Sequence, residues 1–109
     1  MGMDSVLQRD KTRCYLCHRA DEKLDMHHVF YGPLRKKSNK YGCVVWLCHN
    51  RCHIFGDNSV HKNHKIDLWL KKRCQIALML KMGWTVAQFR EEFYKNYLEE
   101  EEIKNAQLQ

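Results

Sequence analysis

Two cysteine pairs constrain this chain more than any other feature. Cys14-Tyr15-Leu16-Cys17 and Cys48-His49-Asn50-Arg51-Cys52 bracket residues 18–47 at spacings that suit the ligands of one metal ion. A two-residue gap lets a turn present both sulfurs to one ion, and four thiolates satisfy the tetrahedral preference of Zn2+. Between the pairs lies Leu24-Asp25-Met26-His27-His28-Val29-Phe30-Tyr31-Gly32, a short apolar run carrying two adjacent histidines. The pairs read as a structural zinc clamp and the histidines as the working site. The three-residue gap in the second pair leaves open that His49 replaces Cys48 as a ligand. The bland alternative, cysteines as small buried hydrophobes, fits Cys74, which lies mid-helix among apolar residues; Cys43 is also left over.

A disulfide framework is the rival to zinc. The start, Met1-Gly2-Met3-Asp4-Ser5, has no signal-peptide core, and no apolar run approaches the ~18 residues of a membrane span. The expected setting is therefore cytoplasmic, where reduced thiols favour metal over disulfides. One proline and two long helical stretches are also unlike a loop-rich stapled miniprotein. At 109 residues the chain reads as one domain, 1–109, small enough that a structural metal helps its first half. Thiol redox chemistry at Cys14 and Cys17 is a weaker alternative, because no βαβ pattern surrounds them.

In chain order, residues 1–13 read as an extended or frayed lead-in. Leu24 to Tyr31 is rich in β-formers and predicts a strand that Gly32-Pro33 ends. Leu34 to Gly42 is a basic loop or short helix, and Cys43 to Leu47 a second, buried strand. Cys48 to Phe55 starts a short helix that Gly56-Asp57-Asn58 breaks. From His64 or Lys65 to Met82 the spacing predicts a helix with Ile66, Trp69, Arg73, Ile76 and Leu80 on one stripe, and Leu70, Ala77 and Leu78 nearby. Gly83 is its stop. Thr85 and Gln88 predict a capping box and a last helix burying Val86, Phe89, Phe93, Tyr97 and Leu98, with Glu99 to Glu102 a solvated, fraying continuation. The stripes belong to the core or to a dimer surface, so the chain is a monomer or a homodimer.

Charge is uneven. Residues 1–81 hold 16 Lys/Arg against 7 Asp/Glu, and residues 82–109 hold 3 against 6. A basic body with an acidic tail suits a polyanion, nucleic acid first. Arg35, Lys36, Lys37 and Lys40 beside the histidines are either a solvated linker or a grip on phosphates. Lys62, Lys65, Lys71, Lys72 and Arg73 are further backbone-contact candidates.

The chemistry that fits adjacent histidines is metal-assisted phosphodiester hydrolysis. One binds a divalent ion that polarises a phosphate oxygen; the other, neutral near pH 7, takes a proton from the attacking water. His53, in the first turn of the facing helix, is placed to supply a further ligand. His61 lies eight residues on, about 12 Å along an unbroken helix, but the break at Gly56-Asp57-Asn58 lets a loop return it. His18, His49 and His64 read as surface residues. Extra zinc sites or satisfied core histidines are the competing readings.

Cys14-x2-Cys17, Asp25-Met26-His27-His28-Val29-Phe30, Leu47-Cys48 with Cys52-His53, and Val60-His61 together resemble the HNH (ββα-metal) endonucleases, closest to small bacteriophage and prophage members. Lys40-Tyr41-Gly42 and Asn96-Tyr97-Leu98 add to the likeness, which spans roughly residues 14–98. It implies an α+β fold: a zinc-stabilised, treble-clef-like ββα-metal core over 14–64 and a C-terminal helical extension over 65–109. It implies a DNA endonuclease leaving a 5′-phosphate and a 3′-hydroxyl in a bacterial host cell. His28 would be the general base and His27, His53 and His61 the ligands of Mg2+ or Mn2+, with Ni2+ or Zn2+ also suited. Cys14, Cys17, Cys48 and Cys52 would hold structural Zn2+. The chain departs from the pattern at Cys43, where the motif's asparagine is expected; Asn39 is the residue that could stand in. The alternative function is a catalytically weak or inactive zinc module that binds DNA or protein.

Overall fold

Strand β1 (Leu24–His28) pairs antiparallel with β2 (Val44–Cys48), with Leu24 opposite Cys48 and His28 opposite Val44. This two-stranded sheet is the centre of the computed structural model, which describes residues 4–108. β1 ends earlier than its sequence predicts. Val29 still donates to the Cys43 carbonyl at 2.9 Å, but the buried Ser38 hydroxyl then takes over from the ladder. It accepts from the Phe30 N–H at 3.2 Å and donates to the Phe30 carbonyl at 2.6 Å.

Ser38 belongs to α1 (Arg35–Tyr41), so the basic segment is a helix. Gly42 closes α1 at φ 74°, where an added Cβ would run into the Asp4 carbonyl. That close approach reflects a correction to the lead-in. Ser5 donates to the Val44 carbonyl at 2.5 Å, Val6 to the Gly42 carbonyl at 2.9 Å, and the Gln8 side chain accepts from Trp46 N–H at 2.8 Å. The segment is pinned because it satisfies β2 backbone groups that β1 does not reach. Residues 1–3 lie outside the described residues.

After β2 the chain makes a wide π-helical turn over His49–Ile54, in which Phe55 N–H bonds back to the Asn50 carbonyl at 2.8 Å. It then reverses through residues 56–59, and Val60 and His61 donate to the carbonyls of Cys52 and His53. Helix α2 (His64–Met82) follows, capped by the Asn63 side chain and stopped by Gly83 at φ 68°. Its inward face is not the predicted stripe. Leu70, Cys74, Leu78 and Met79 are buried, whereas Trp69 is 44% and Leu80 60% exposed. Two polar residues, Asp67 and Gln75, share the buried face and mask its period.

Helix α3 (Val86–Phe93) starts at the predicted Thr85–Gln88 capping box but stops at Tyr94, φ 65°. Buried Gln75 organises the segment beyond, donating to the Asn96 side chain at 2.8 Å and accepting from Tyr97 N–H at 2.9 Å. The acidic stretch is therefore no fraying continuation. A Glu99–Glu102 capping box starts α4 (Glu100–Asn105), tied to α2 by Lys72 and Glu102 at 3.0 Å. Phe30, Phe89 and Phe93 fill the core between sheet and helices, with Phe30 and Phe93 ring centroids 4.7 Å apart. Cys43 and Cys74 lie in the same core, fully buried. The result is a small α+β fold. Among the described residues no helix is long and apolar enough to cross a membrane.

Candidate metal centres

The turn at residues 14–19 and the start of the π-helical turn bring four sulfurs together. Cys14 N–H bonds to the Arg19 carbonyl, His18 N–H bonds to the Cys14 carbonyl, and Tyr15 N–H docks the turn on Trp46 of β2. The Sγ atoms of Cys14, Cys17, Cys48 and Cys52 all lie within 4.8 Å of one another, with Cys17 and Cys48 at 3.8 Å. A ZnS4 tetrahedron with ~2.3 Å bonds has edges of roughly 3.8 Å, against ~2.05 Å for a disulfide. All six cysteines are free thiols. Burial opposes the Cys14 thiolate, but N–H groups of Cys17, Cys48 and Leu16 outweigh it and bring that thiol down to about 7. Burial and the neighbouring sulfurs push Cys52 up instead, so a cation is what would let all four ionise. The set fits Zn2+. His49 does not join it, because its ring faces Asp25.

The second group is His27, His53 and His61, each with a ring nitrogen within 4.8 Å of the others. His53 and His61 face each other Nε2 to Nε2 at 3.1 Å, and the reversal at 56–61 is what brings them together. His27 is 2% exposed, and its buried Nε2 has no hydrogen-bond partner among the described residues. Burial first, then the neighbouring His53, His61, His28 and Lys71, lower its pKa to about 3. The ring is thus neutral at physiological pH and keeps a lone pair. Burial also lowers His61, helped by His53 and opposed by Asp67. Three converging imidazoles, one of them with an orphaned buried nitrogen, suit a divalent transition-metal ion.

Asp25 supports this group from the same face of β1, two residues from His27. Its Oδ2 accepts from Nδ1 of His53 at 2.9 Å and of His49 at 2.5 Å. Accepting that proton fixes the His53 tautomer with Nε2 free for an ion. Burial works against the Asp25 charge, but the bonds from His53 and His49 prevail and hold its carboxyl below the usual range. The Tyr31 ring packs against His27 and His61, at 6.0 and 5.7 Å between centroids. Its hydroxyl donates to buried Asp67 at 3.1 Å, and Asp67 is paired with Lys71 at 2.7 Å. Sequence reasoning missed Asp25 and Asp67. Period-two alternation alone could have placed Asp25 with His27.

His28 closes β1 on the opposite face, 9% exposed. Its Nε2 lies 2.8 Å from Asn39 Oδ1 on α1. An amide oxygen accepts, so Nε2 carries the proton and Nδ1 the lone pair. Cys43, where the resemblance expects an asparagine, is core, and Asn39 makes the contact to His28.

The basic candidates divide. Arg35, Lys36 and Lys40 are exposed on the helix that carries Asn39, while Lys37 is paired with Glu92 at 3.0 Å. Lys62 and Lys65 are exposed; Lys71 and Lys72 are committed to Asp67 and Glu102, and Arg73 stacks on Trp69 at 4.9 Å. His18 and His64 are exposed and apart from both groups. Comparison of the chain with protein-family models, curated proteins and solved structures finds no match.

Proposed function

We propose that the chain is a metal-dependent endonuclease with an HNH (ββα-metal) core, hydrolysing DNA phosphodiester bonds. The observation that carries this reading is the buried Nε2 of His27, without a partner among the described residues, converging with His53 and His61 beside a His28 whose tautomer Asn39 fixes. In this reading β1, β2 and the His49–Ile54 turn are the ββα unit, and the four-cysteine clamp holds structural zinc. His27, His53 and His61 hold the catalytic ion, which when bound supplies positive charge beside the scissile phosphate.

His28 Nδ1 takes a proton from water as the water oxygen bonds to phosphorus and the bond to the 3′-oxygen breaks; that oxygen is protonated from solvent. Asn39 keeps the ring from turning its protonated nitrogen inward. Tyr31 and Asp25 hold the three ligands in place. Arg35, Lys36 and Lys40 neutralise flanking phosphates. By the same resemblance the setting is a bacterial cell carrying a phage or prophage, and the role DNA processing or recombination.

Supercoiled plasmid incubated with purified protein and Mg2+, Mn2+ or Ni2+ is expected to become nicked or linear. Its ends should be rejoined by DNA ligase without prior phosphorylation. Intact plasmid with every ion would overturn the enzyme and leave the zinc-bearing binding module.

A further inference from the structure

We propose that Asp25, His49 and His53 form a second ion site, for a Zn2+-class divalent cation, whose filling opposes the ion at His27, His53 and His61. Each of the three side chains offers one ligand atom within 4.8 Å of the other two. His49 and His53 stand four residues apart on the π-helical turn, so both rings reach one carboxylate oxygen. They lie 2.5 and 2.9 Å from it as hydrogen bonds. A tetrahedral ion with ~2.1 Å bonds spreads its donors to roughly 3.4 Å, a change of under about one ångström. The His49 side chain, 38% exposed, has room to make that change and gives the ion a route from solvent. Two imidazoles and one carboxylate favour Zn2+ or Ni2+ over Mg2+, and a fourth position stays open to water.

His53 belongs to both groups through opposite ring nitrogens. A neutral imidazole has one lone pair, so His53 serves one ion through Nε2 or the other through Nδ1. Filling the second site also takes Asp25 away from its role in fixing His53. Each ion therefore weakens the other, by the same factor in both directions. The inhibitory consequence rests on the nuclease reading; the site itself does not.

Native mass spectrometry over a Zn2+ titration separates the two. In a His27→Ala/His61→Ala background, which leaves His53 to the second site, the chain is expected to carry one ion more at saturation than the same chain with His49→Gln, whose amide keeps a hydrogen bond to Asp25, and one more than the same chain with Asp25→Asn. Equal ion numbers overturn the site. Loss in His49→Gln alone also overturns it, because the ion would then sit on His49 by itself. In plasmid cleavage driven by Mn2+, added Zn2+ is expected to inhibit wild type at concentrations about tenfold below those needed for His49→Gln. Identical inhibition with unequal ion numbers overturns the opposition between sites, and a protein that cuts nothing leaves the ion count as the deciding result.

Discussion

A buried imidazole nitrogen without a partner costs about 1–3 kcal/mol, and His27 carries that cost at the centre of the histidine group. Folding that tolerates it is explained if an ion takes the lone pair. The same burial has a measurable signature in pH. With its pKa lowered to about 3 from the usual 6.5, His27 refuses a proton that the unfolded chain accepts. Its contribution to stability is complete above about pH 6.5 and is lost as pH falls from there toward 3. Between pH 7.5 and 5.5 the loss is roughly 1.4 kcal/mol. Urea unfolding at both pH values is expected to show wild type losing about that much more stability than His27→Leu; parallel losses would contradict a neutral, proton-refusing His27.

At the scale of elements, the cysteine clamp joins the turn at residues 14–19 to the end of β2 and the turn that follows. Besides the sulfurs, residues 14–23 are held by hydrogen bonds from Tyr15 N–H to the Trp46 carbonyl, from His49 N–H to the Lys23 carbonyl and from Asn50 N–H to the Glu22 side chain, and by Arg51 pairing with Asp21. Structural zinc supplies folding free energy outright, about 10–16 kcal/mol in small zinc domains. Chelation is expected to unfold the first half, read as loss of hydrogen-exchange protection in β1 and β2, with α2 and α3 less affected. A zinc-free protein that keeps full protection would contradict the clamp.

These elements also show what the chain's letters reveal. Gly83 and the Thr85–Gln88 box mark helix ends by local chemistry, so α2 and the start of α3 were legible. The break at Gly56-Asp57-Asn58 made the return of His61 legible too. The inward face of α2 was not, because Asp67 and Gln75 are buried by partners distant in sequence, Tyr31 and Asn96. The end of β1 depended on Ser38, and the pinned lead-in on unpaired groups of β2. Alternation along β1 puts Asp25 on the His27 face, but its partners, His49 and His53, come from the turn after β2, which alternation does not reveal.

Across the whole molecule, the pieces converge on one hairpin. The clamp anchors one end of the sheet, the reversal after β2 returns His61, and α2 presents Asp67 to Tyr31 behind the histidines. On the other side α1 brings Asn39 to His28 and exposes Arg35, Lys36 and Lys40. Such an arrangement assigns holding and proton transfer to different histidines on opposite faces of β1. The division makes His28 removable without disturbing any proposed metal ligand. The most direct measurement is plasmid cleavage by His28→Ala beside wild type, with zinc content determined on both samples. Cleavage is expected to fall at least about 100-fold, the scale of a lost general base, with zinc per chain unchanged. A variant that cuts at the wild-type rate with its zinc intact would contradict the central claim.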